Sequence, residues 1–158
     1  MKKINFLALS ISILFAEAVG FLSALISGNM SGAYDSFIMP PLSPPAILFP
    51  IAWVILYAFM GAAAYFVWDS KRGTAAEKSL ALRLYLAQLL VNFSWSIFFF
   101  RFEAFWFSVA VIILLDILVL LTTVRFKAIN RLSYWLMLPY LAWLIFATYL
   151  NIGVAVLN

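Results

Sequence analysis

The chain alternates between long apolar stretches and short polar connections. The apolar stretches run over residues 4–27, 46–68, 79–100, 104–124 and 132–157. Because a helix needs roughly 20 apolar residues to cross about 30 Å of hydrocarbon, each stretch is long enough to span a membrane. The pattern therefore predicts an all-α integral membrane protein, a five-transmembrane-helix bundle that forms a single domain over residues 1–158.

The first stretch has a competing interpretation as a secretory signal. Lys2 and Lys3 precede it, and the sequence 16–18 (Ala-Glu-Ala) matches the small-x-small pattern at which such signals are cleaved. The apolar character nevertheless continues to Ile26, well beyond the length of a signal core. We therefore expect a retained first helix.

The positive charges predict the orientation of the bundle. Nine of the ten basic residues lie at the N-terminus, in or next to the second connection, and in the fourth connection, whereas Arg101 lies on the other side. The nine are Lys2, Lys3, Lys71, Arg72, Lys78, Arg83, Arg125, Lys127 and Arg131. Because basic residues favour the cytoplasmic side, we expect a cytoplasmic N-terminus and a C-terminus outside. The net charge of +4 is thus a topology signal and indicates no nucleic-acid partner.

The composition supports this assignment and excludes several kinds of chemistry. Hydrophobic residues make up 67% of the chain and charged residues 10%, against about 45–50% and about 25% in soluble domains. The sequence has no cysteine and no histidine. It therefore cannot form disulfides, thiolate or imidazole metal sites, or a Ser-His-Asp triad. We expect no metal site, no catalytic residues of these types and no required cofactor.

The first connection, 28–45, ends in the proline-rich sequence 39–45 (MPPLSPP). Proline restricts φ and has no N–H, so this sequence predicts a stiff, extended segment. Ser43 followed by Pro44 is typical of a helix start, because serine caps free N–H groups and proline suits the first helical position.

Three of the stretches carry aromatic and amide residues at helical spacing. The stripes are Phe49, Trp53, Tyr57 and Gly61; Gln88, Asn92, Trp95 and Phe99; and Tyr140, Trp143, Ala147 and Asn151. Amides within hydrocarbon need partners, so these faces turn inward. At about 1.5 Å per residue, the tryptophans of the stripes and Asn92 lie in the outer half of the membrane, beneath the proline-rich segment. The stripes indicate either plain packing or a lidded cavity for a large, flat, apolar ligand.

Three motifs carry a resemblance to a known family. The sequences 40–45 (PPLSPP) with 49–53 (FPIAW), 88–96 (QLLVNFSWS) and 139–143 (PYLAW) resemble the second, third and fifth helices of the tryptophan-rich sensory protein family. This family is also called the translocator protein, or peripheral-type benzodiazepine receptor, family. The resemblance covers almost the whole chain, with the three motifs in order.

The resemblance implies a homodimeric five-helix bundle in a bacterial or archaeal cell membrane, with a ligand pocket beneath the first connection. It implies protoporphyrin IX or haem-type tetrapyrroles as ligands, together with isoquinoline carboxamide or benzodiazepine drugs. Without histidine or cysteine as axial ligands, we expect metal-free porphyrin to bind as a ligand, by stacking and shape. The ligand-binding residues that the stripes and the resemblance together indicate are Tyr34, Phe49, Trp53, Asn92, Trp95, Phe99, Trp143, Phe146, Ala147 and Leu150.

The chain also departs from the family pattern. Ala33, Leu42 and Ile47 occupy places where the family often has tryptophan, so the predicted lid is less aromatic here. No Lys or Arg follows Tyr149, whereas the sterol-recognition pattern of animal members requires one. The leading hypothesis is a membrane receptor or sensor for porphyrins. The alternatives are a light- or oxygen-dependent porphyrin-degrading enzyme and a tetrapyrrole transporter, for which five helices without an inverted repeat are a weak fit.

Two further features of the spans leave alternatives open. Glu17 and Asp116 are carboxyl groups within apolar stretches, and they indicate either a proton relay or groups that hold helices together. Small residues recur every fourth position from Ala8 to Gly28, which predicts close helix packing, either within the bundle or with a second subunit.

Overall fold

A computed structural model describes residues 4–158 of the chain, so the predictions made from Lys2 and Lys3 lie outside the described residues. The described residues form helices joined by short connections. The helices are α1 (Phe6–Ser27), α2 (Met30–Ser36), α3 (Leu48–Asp69), α4 (Ala75–Ser96), α5 (Phe105–Ile129) and α6 (Arg131–Leu157), with a π-helical turn (Ile97–Arg101) continuing α4. All except α2 are long and apolar enough to cross a membrane, which confirms the prediction of five spans.

The two largest differences from the predicted helix ends arise because polar residues extend the helices beyond their apolar cores. Helix α4 begins four residues before the predicted start at Ser79, because Thr74 and Glu77 form a capping box. The Thr74 side chain accepts a bond from the Glu77 N–H at 3.2 Å, and the Thr74 N–H donates to the Glu77 carboxylate at 2.6 Å. Such caps satisfy N–H groups that a helix end otherwise leaves unbonded.

Helix α5 likewise continues to Ile129, although the apolar stretch was predicted to end at Val124. Phe126 and Ile129 are buried while Arg125 and Lys127 are exposed, so the helix remains amphipathic past the apolar stretch. The predicted fourth connection shrinks to Asn130. Its side-chain oxygen accepts bonds from the N–H groups of Leu132 and Ser133 and so caps α6.

The spanning helices form a closed ring. Helix α1 packs on α3, α3 on α6, α6 on α5 and α5 on α4, and α4 returns to α1. Hydroxyl groups bond backbone carbonyls across these interfaces: Ser12 Oγ donates to the Gly61 carbonyl at 2.7 Å, and Ser133 Oγ donates to the Ala63 carbonyl at 2.8 Å. In a membrane such bonds add to close packing, because helix association there gains little from the hydrophobic effect.

The small residues of α1 face the interior of the same chain. Ala16 is fully buried, and an added Cβ on Gly20 would lie 2.3 Å from the Tyr57 ring. On α3, an added Cβ at Gly61 would lie 2.6 Å from the backbone of Ile13. The structure therefore supports close packing of the small α1 residues within the bundle, one of the two alternatives that their spacing left open.

The first connection is more folded than its sequence predicted. Asn29 caps the short helix α2, accepting a bond from the Gly32 N–H at 3.1 Å. The proline-rich segment is not fully extended, since it contains a turn at which Leu42 has φ of 66°. Ser43 does not cap a helix: its hydroxyl donates to the Pro40 carbonyl at 2.6 Å, and α3 begins only at Leu48. The prediction of a helix start at Ser43 and Pro44 was therefore wrong, because the local turn uses the hydroxyl.

Candidate ligand-binding site

The three predicted stripes meet around Trp53 in the middle of the bundle. Trp53 projects from α3, and its ring centroid lies 6.2 Å from that of Trp95 on α4 and 6.1 Å from that of Tyr140 on α6. Trp95 in turn stacks on Phe99 at 5.6 Å. Aromatic rings attract one another at these separations. The structure thus brings together Trp53, Trp95 and Phe99 as the sequence predicted.

A chain of hydrogen bonds between buried side chains adjoins this cluster through Tyr140. Asn92 donates to the Tyr140 hydroxyl at 2.9 Å, and that hydroxyl donates to the Gln88 side chain at 3.0 Å. All three residues are buried, and Gln88 also lies 3.7 Å from the sulfur of Met60. Buried amides require such partners. One N–H of the Asn92 amide is therefore engaged by the protein itself.

A second chain of hydrogen bonds orients Trp95. Its indole N–H donates to the Asn151 side-chain oxygen at 2.8 Å, and the Asn151 amide donates to Ser108 Oγ at 2.9 Å. This chain joins α4, α6 and α5. Sequence reasoning placed Asn151 on an inward stripe but missed Ser108, since a single serine in an apolar helix carries no pattern.

The remaining predicted aromatic residues form a second cluster next to the first connection. Tyr34 on α2 lies 4.8 Å from Phe49, Phe49 lies 5.8 Å from Trp143, and Trp143 lies 5.9 Å from Phe146, all between ring centroids. The Trp143 indole nitrogen is buried and has no hydrogen-bond partner within residues 4–158. A buried donor without a partner is costly, so this N–H is available to a ligand acceptor.

Ala147 and Leu150 are both buried on α6, each with 4% of its surface exposed. Their side chains are apolar, so any contribution from these side chains would be to the shape of the site. Together with the two aromatic clusters, all ten predicted residues lie on α2, α3, α6 or on α4 with its π-helical turn.

The first connection is held over this region by the C-terminal half of α6. The Tyr149 hydroxyl donates to the Pro41 carbonyl at 2.7 Å. The Asn158 side chain forms two hydrogen bonds with the Ile38 backbone: it accepts from the N–H at 3.0 Å and donates to the carbonyl at 3.1 Å. Sequence reasoning missed both residues, because contacts between positions more than 100 apart leave no local pattern.

Tyr34 fastens the same connection from within. Its hydroxyl donates to the Pro44 carbonyl at 2.8 Å. Burial raises the pKa of the Tyr34 phenol above its ordinary value of 10, and the bond to Ser43 and the nearby Asp35 charge change the pKa less. The phenol therefore remains protonated and able to donate at neutral pH.

The two membrane carboxyl groups lie on α1 and α5, helices that carry none of the ten predicted ligand-binding residues. Asp116 on α5 accepts a bond from the Thr148 hydroxyl on α6 at 2.8 Å, which joins the two helices, while its other carboxylate oxygen is buried without a partner among residues 4–158. Glu17 is partly buried on α1. Within residues 4–158, no group of three or more Asp, Glu, His or Cys residues is placed to hold a metal ion.

Comparison with known proteins agrees with the motifs. The pattern of the TspO/MBR family matches residues 12–157. The tryptophan-rich protein TspO of Chlorobaculum tepidum is 34% identical to this chain, over 99% of the chain and 98% of that protein. The protein of the same name from Archaeoglobus fulgidus is 35% identical, over 98% and 99% respectively. The human translocator protein is 31% identical, over 82% of this chain and 76% of its own.

The match extends across the first connection and all three motif-bearing helices. Identity above 30% over nearly full length in two relatives, together with five membrane-spanning helices, is consistent with one shared architecture. The chain is a multi-pass membrane protein and belongs to the TspO/MBR family.

Proposed function

We propose that the chain is a membrane receptor or sensor for porphyrins, which it binds beneath the first connection against Trp53 and Trp143. The observation that carries this proposal is the buried Trp143 indole N–H, which has no acceptor within the described residues although aromatic rings surround it. A flat ligand with an acceptor at its edge would stack on the rings and satisfy this donor.

The residues present favour a metal-free porphyrin as ligand. The chain has no histidine or cysteine to ligate haem iron. The site offers instead indole and phenyl faces and the buried Trp143 N–H, which has no partner among the described residues. Recognition would therefore rest on stacking and on a hydrogen bond to a porphyrin carboxylate or carbonyl, and the porphyrin would be a ligand rather than a resident cofactor.

Binding would require the first connection to move. Successive rings of the second cluster already lie 4.8–5.9 Å apart between centroids, so a porphyrin must separate them. The hydrogen bonds from Asn158, Tyr149 and Tyr34 hold the connection closed. We propose that these bonds break and re-form as ligand enters and leaves.

The test is a titration of purified protein with protoporphyrin IX in the dark, followed by quenching of tryptophan fluorescence. Trp143→Phe keeps an aromatic ring but removes the donor, and losing one hydrogen bond in a buried site should weaken binding about tenfold. Trp53→Phe should also weaken binding, through lost stacking area. Trp106→Phe is the matched control, because Trp106 is 65% exposed on α5.

The proposal fails if both site variants bind as tightly as the parent, or if the Trp106 control weakens binding as much as they do. Repeating the titration under illumination distinguishes binding from degradation, since a degrading enzyme would yield a new absorbing product. Competition by an isoquinoline carboxamide would place both ligand classes in one site.

A further inference from the structure

The opposite end of the bundle contains a cavity that the proposed function does not use. Its volume is about 420 Å³, and it lies where the connection between α3 and α4 meets the start of α6. Its lining residues are Asp69, Ser70, Lys71, Arg72, Ile129, Asn130 and Arg131. We refer to it as the basic cavity.

Hydrogen bonds between the connections fix the walls of the basic cavity. Ser70 Oγ donates to the Ile129 carbonyl at 3.2 Å, and the Asn130 amide donates to the Phe66 carbonyl at 3.2 Å. The Lys78 ammonium donates to the carbonyls of Ser70 and Trp68. Three helices are thereby tied together around the cavity, so its shape does not depend on one mobile loop.

The lining carries an excess of positive charge. The lining includes three basic residues, Lys71, Arg72 and Arg131, and one carboxylate residue, Asp69. The three basic side chains are exposed, and among residues 4–158 none of them forms a hydrogen bond or ion pair. They are therefore free to bind an anion without first breaking a contact within the described part of the chain.

The basic cavity lies at the level where a membrane meets water. Trp68 in the last turn of α3 is 58% exposed, and Trp135 near the start of α6 is 55% exposed. Exposed tryptophans near span ends are typical of the interface between hydrocarbon and headgroups. Leu132, which follows Arg131 in α6, is also exposed and apolar. An apolar surface thus adjoins the cationic one.

We propose that the basic cavity binds the phosphate of an anionic membrane phospholipid, with the lipid chains against the exposed apolar residues beside it. Guanidinium groups match phosphate oxygens in a two-point geometry, and lysine adds a point charge. Basic cavities between spanning helices are known to take anionic headgroups. A soluble phosphate would use the same cations but would gain nothing from the flanking tryptophans.

The test compares retained phosphatidylglycerol and phosphatidylcholine by native mass spectrometry after the full-length protein is released from mixed-lipid nanodiscs. The cavity variant is Lys71→Gln combined with Arg131→Gln. The control variant, Arg83→Gln with Lys127→Gln, removes the same charge from exposed residues that do not line the cavity. Far-UV circular dichroism checks that both variants fold.

The parent and the control should retain phosphatidylglycerol over phosphatidylcholine by about tenfold, and the cavity variant by less than about twofold. If the double substitution prevents folding, Arg72→Gln alone should lower the preference about threefold, by loss of one phosphate contact. Equal loss in cavity and control variants would overturn the proposal in favour of general charge attraction. Displacement of the lipid by soluble glycerol phosphate would overturn it in favour of a water-soluble ligand.

Discussion

The hydrogen bond between Trp95 and Asn151 makes a measurable prediction about how the site is held. Asn151→Leu keeps the size of the side chain but removes the acceptor of the indole N–H, 2.8 Å away. The substitution also removes the N–H that donates to Ser108 Oγ. Ser108 is affected less than Trp95, because its hydroxyl still donates to the Phe105 carbonyl at 2.7 Å. The variant therefore leaves one main group unsatisfied, the Trp95 N–H.

The expected cost follows from the burial of that group. Trp95 is 5% exposed and Asn151 1%, so water cannot replace the lost acceptor. An unsatisfied buried donor costs about 1–3 kcal/mol, while hydrogen bonds between membrane helices average about 0.6 kcal/mol and reach about 1.7 kcal/mol. Because the bond is short and fully buried, we expect Asn151→Leu to lower the free energy of unfolding by about 1.5 kcal/mol.

A double-mutant cycle isolates this bond from changes in packing. Trp95→Phe removes the donor of the same bond. In a chain that already carries Trp95→Phe, Asn151→Leu should therefore cost less than it does in the parent, and the difference, the coupling energy, should be about 1 kcal/mol. Unfolding by sodium dodecyl sulfate in mixed micelles, followed by far-UV circular dichroism, measures all four free energies. Trp95→Phe with Asn158→Leu is the matched control, because these residues share no partner and their effects should add. A coupling below about 0.3 kcal/mol between Trp95 and Asn151 would refute the reasoning.

Three further predictions concern packing and the first connection. Gly61→Ala should destabilise the protein by about 1–3 kcal/mol in the same unfolding assay, because the new Cβ would lie 2.6 Å from the Ile13 backbone. The control Val54→Ile should have no such effect, because Val54 is exposed on the outer face of α3. Asn158→Ala should speed porphyrin binding and release in stopped-flow fluorescence, because it removes the two side-chain hydrogen bonds to Ile38 in the first connection. Unchanged rates would contradict a role of these bonds in holding the connection closed. Because burial raises the pKa of Tyr34, its hydrogen bond to the Pro44 carbonyl is intact below pH 10 and is lost as the pH rises through the raised pKa. Porphyrin release should therefore accelerate at alkaline pH in the parent but not in Tyr34→Phe.

The spanning helices were predictable because each depends on a local property of the chain. A run of about 20 apolar residues satisfies its backbone polar groups in hydrocarbon only as a helix. The predicted ends were less accurate where polar residues continue a helix, as in the capping box at Thr74 and the amphipathic last turns of α5. Hydropathy does not detect these turns, since it averages over both faces of the helix.

The candidate site was predictable in part, for a related reason. Periodicity showed that Trp53, Trp95 and Tyr140 lie on inward faces, and the structure brings their rings together. Periodicity could not show that Trp95 donates to Asn151, since that bond depends on the rotation and depth of two separate helices. Nor could it show that Ser43 bonds backwards to Pro40 instead of capping a helix, because the choice depends on the turn formed around it.

The sequence by itself determined the number of spans, the inward faces and the family, because hydropathy, helical period and ordered motifs are properties of contiguous residues. The tertiary structure decided which polar groups pair, which stay unpaired and what covers the site. Three features each require residues distant in the chain to meet: the Trp143 N–H without a partner among residues 4–158, the hydrogen bonds from Asn158 to the first connection, and the basic cavity around Arg131. Such meetings depend on how whole helices pack, which no local pattern encodes.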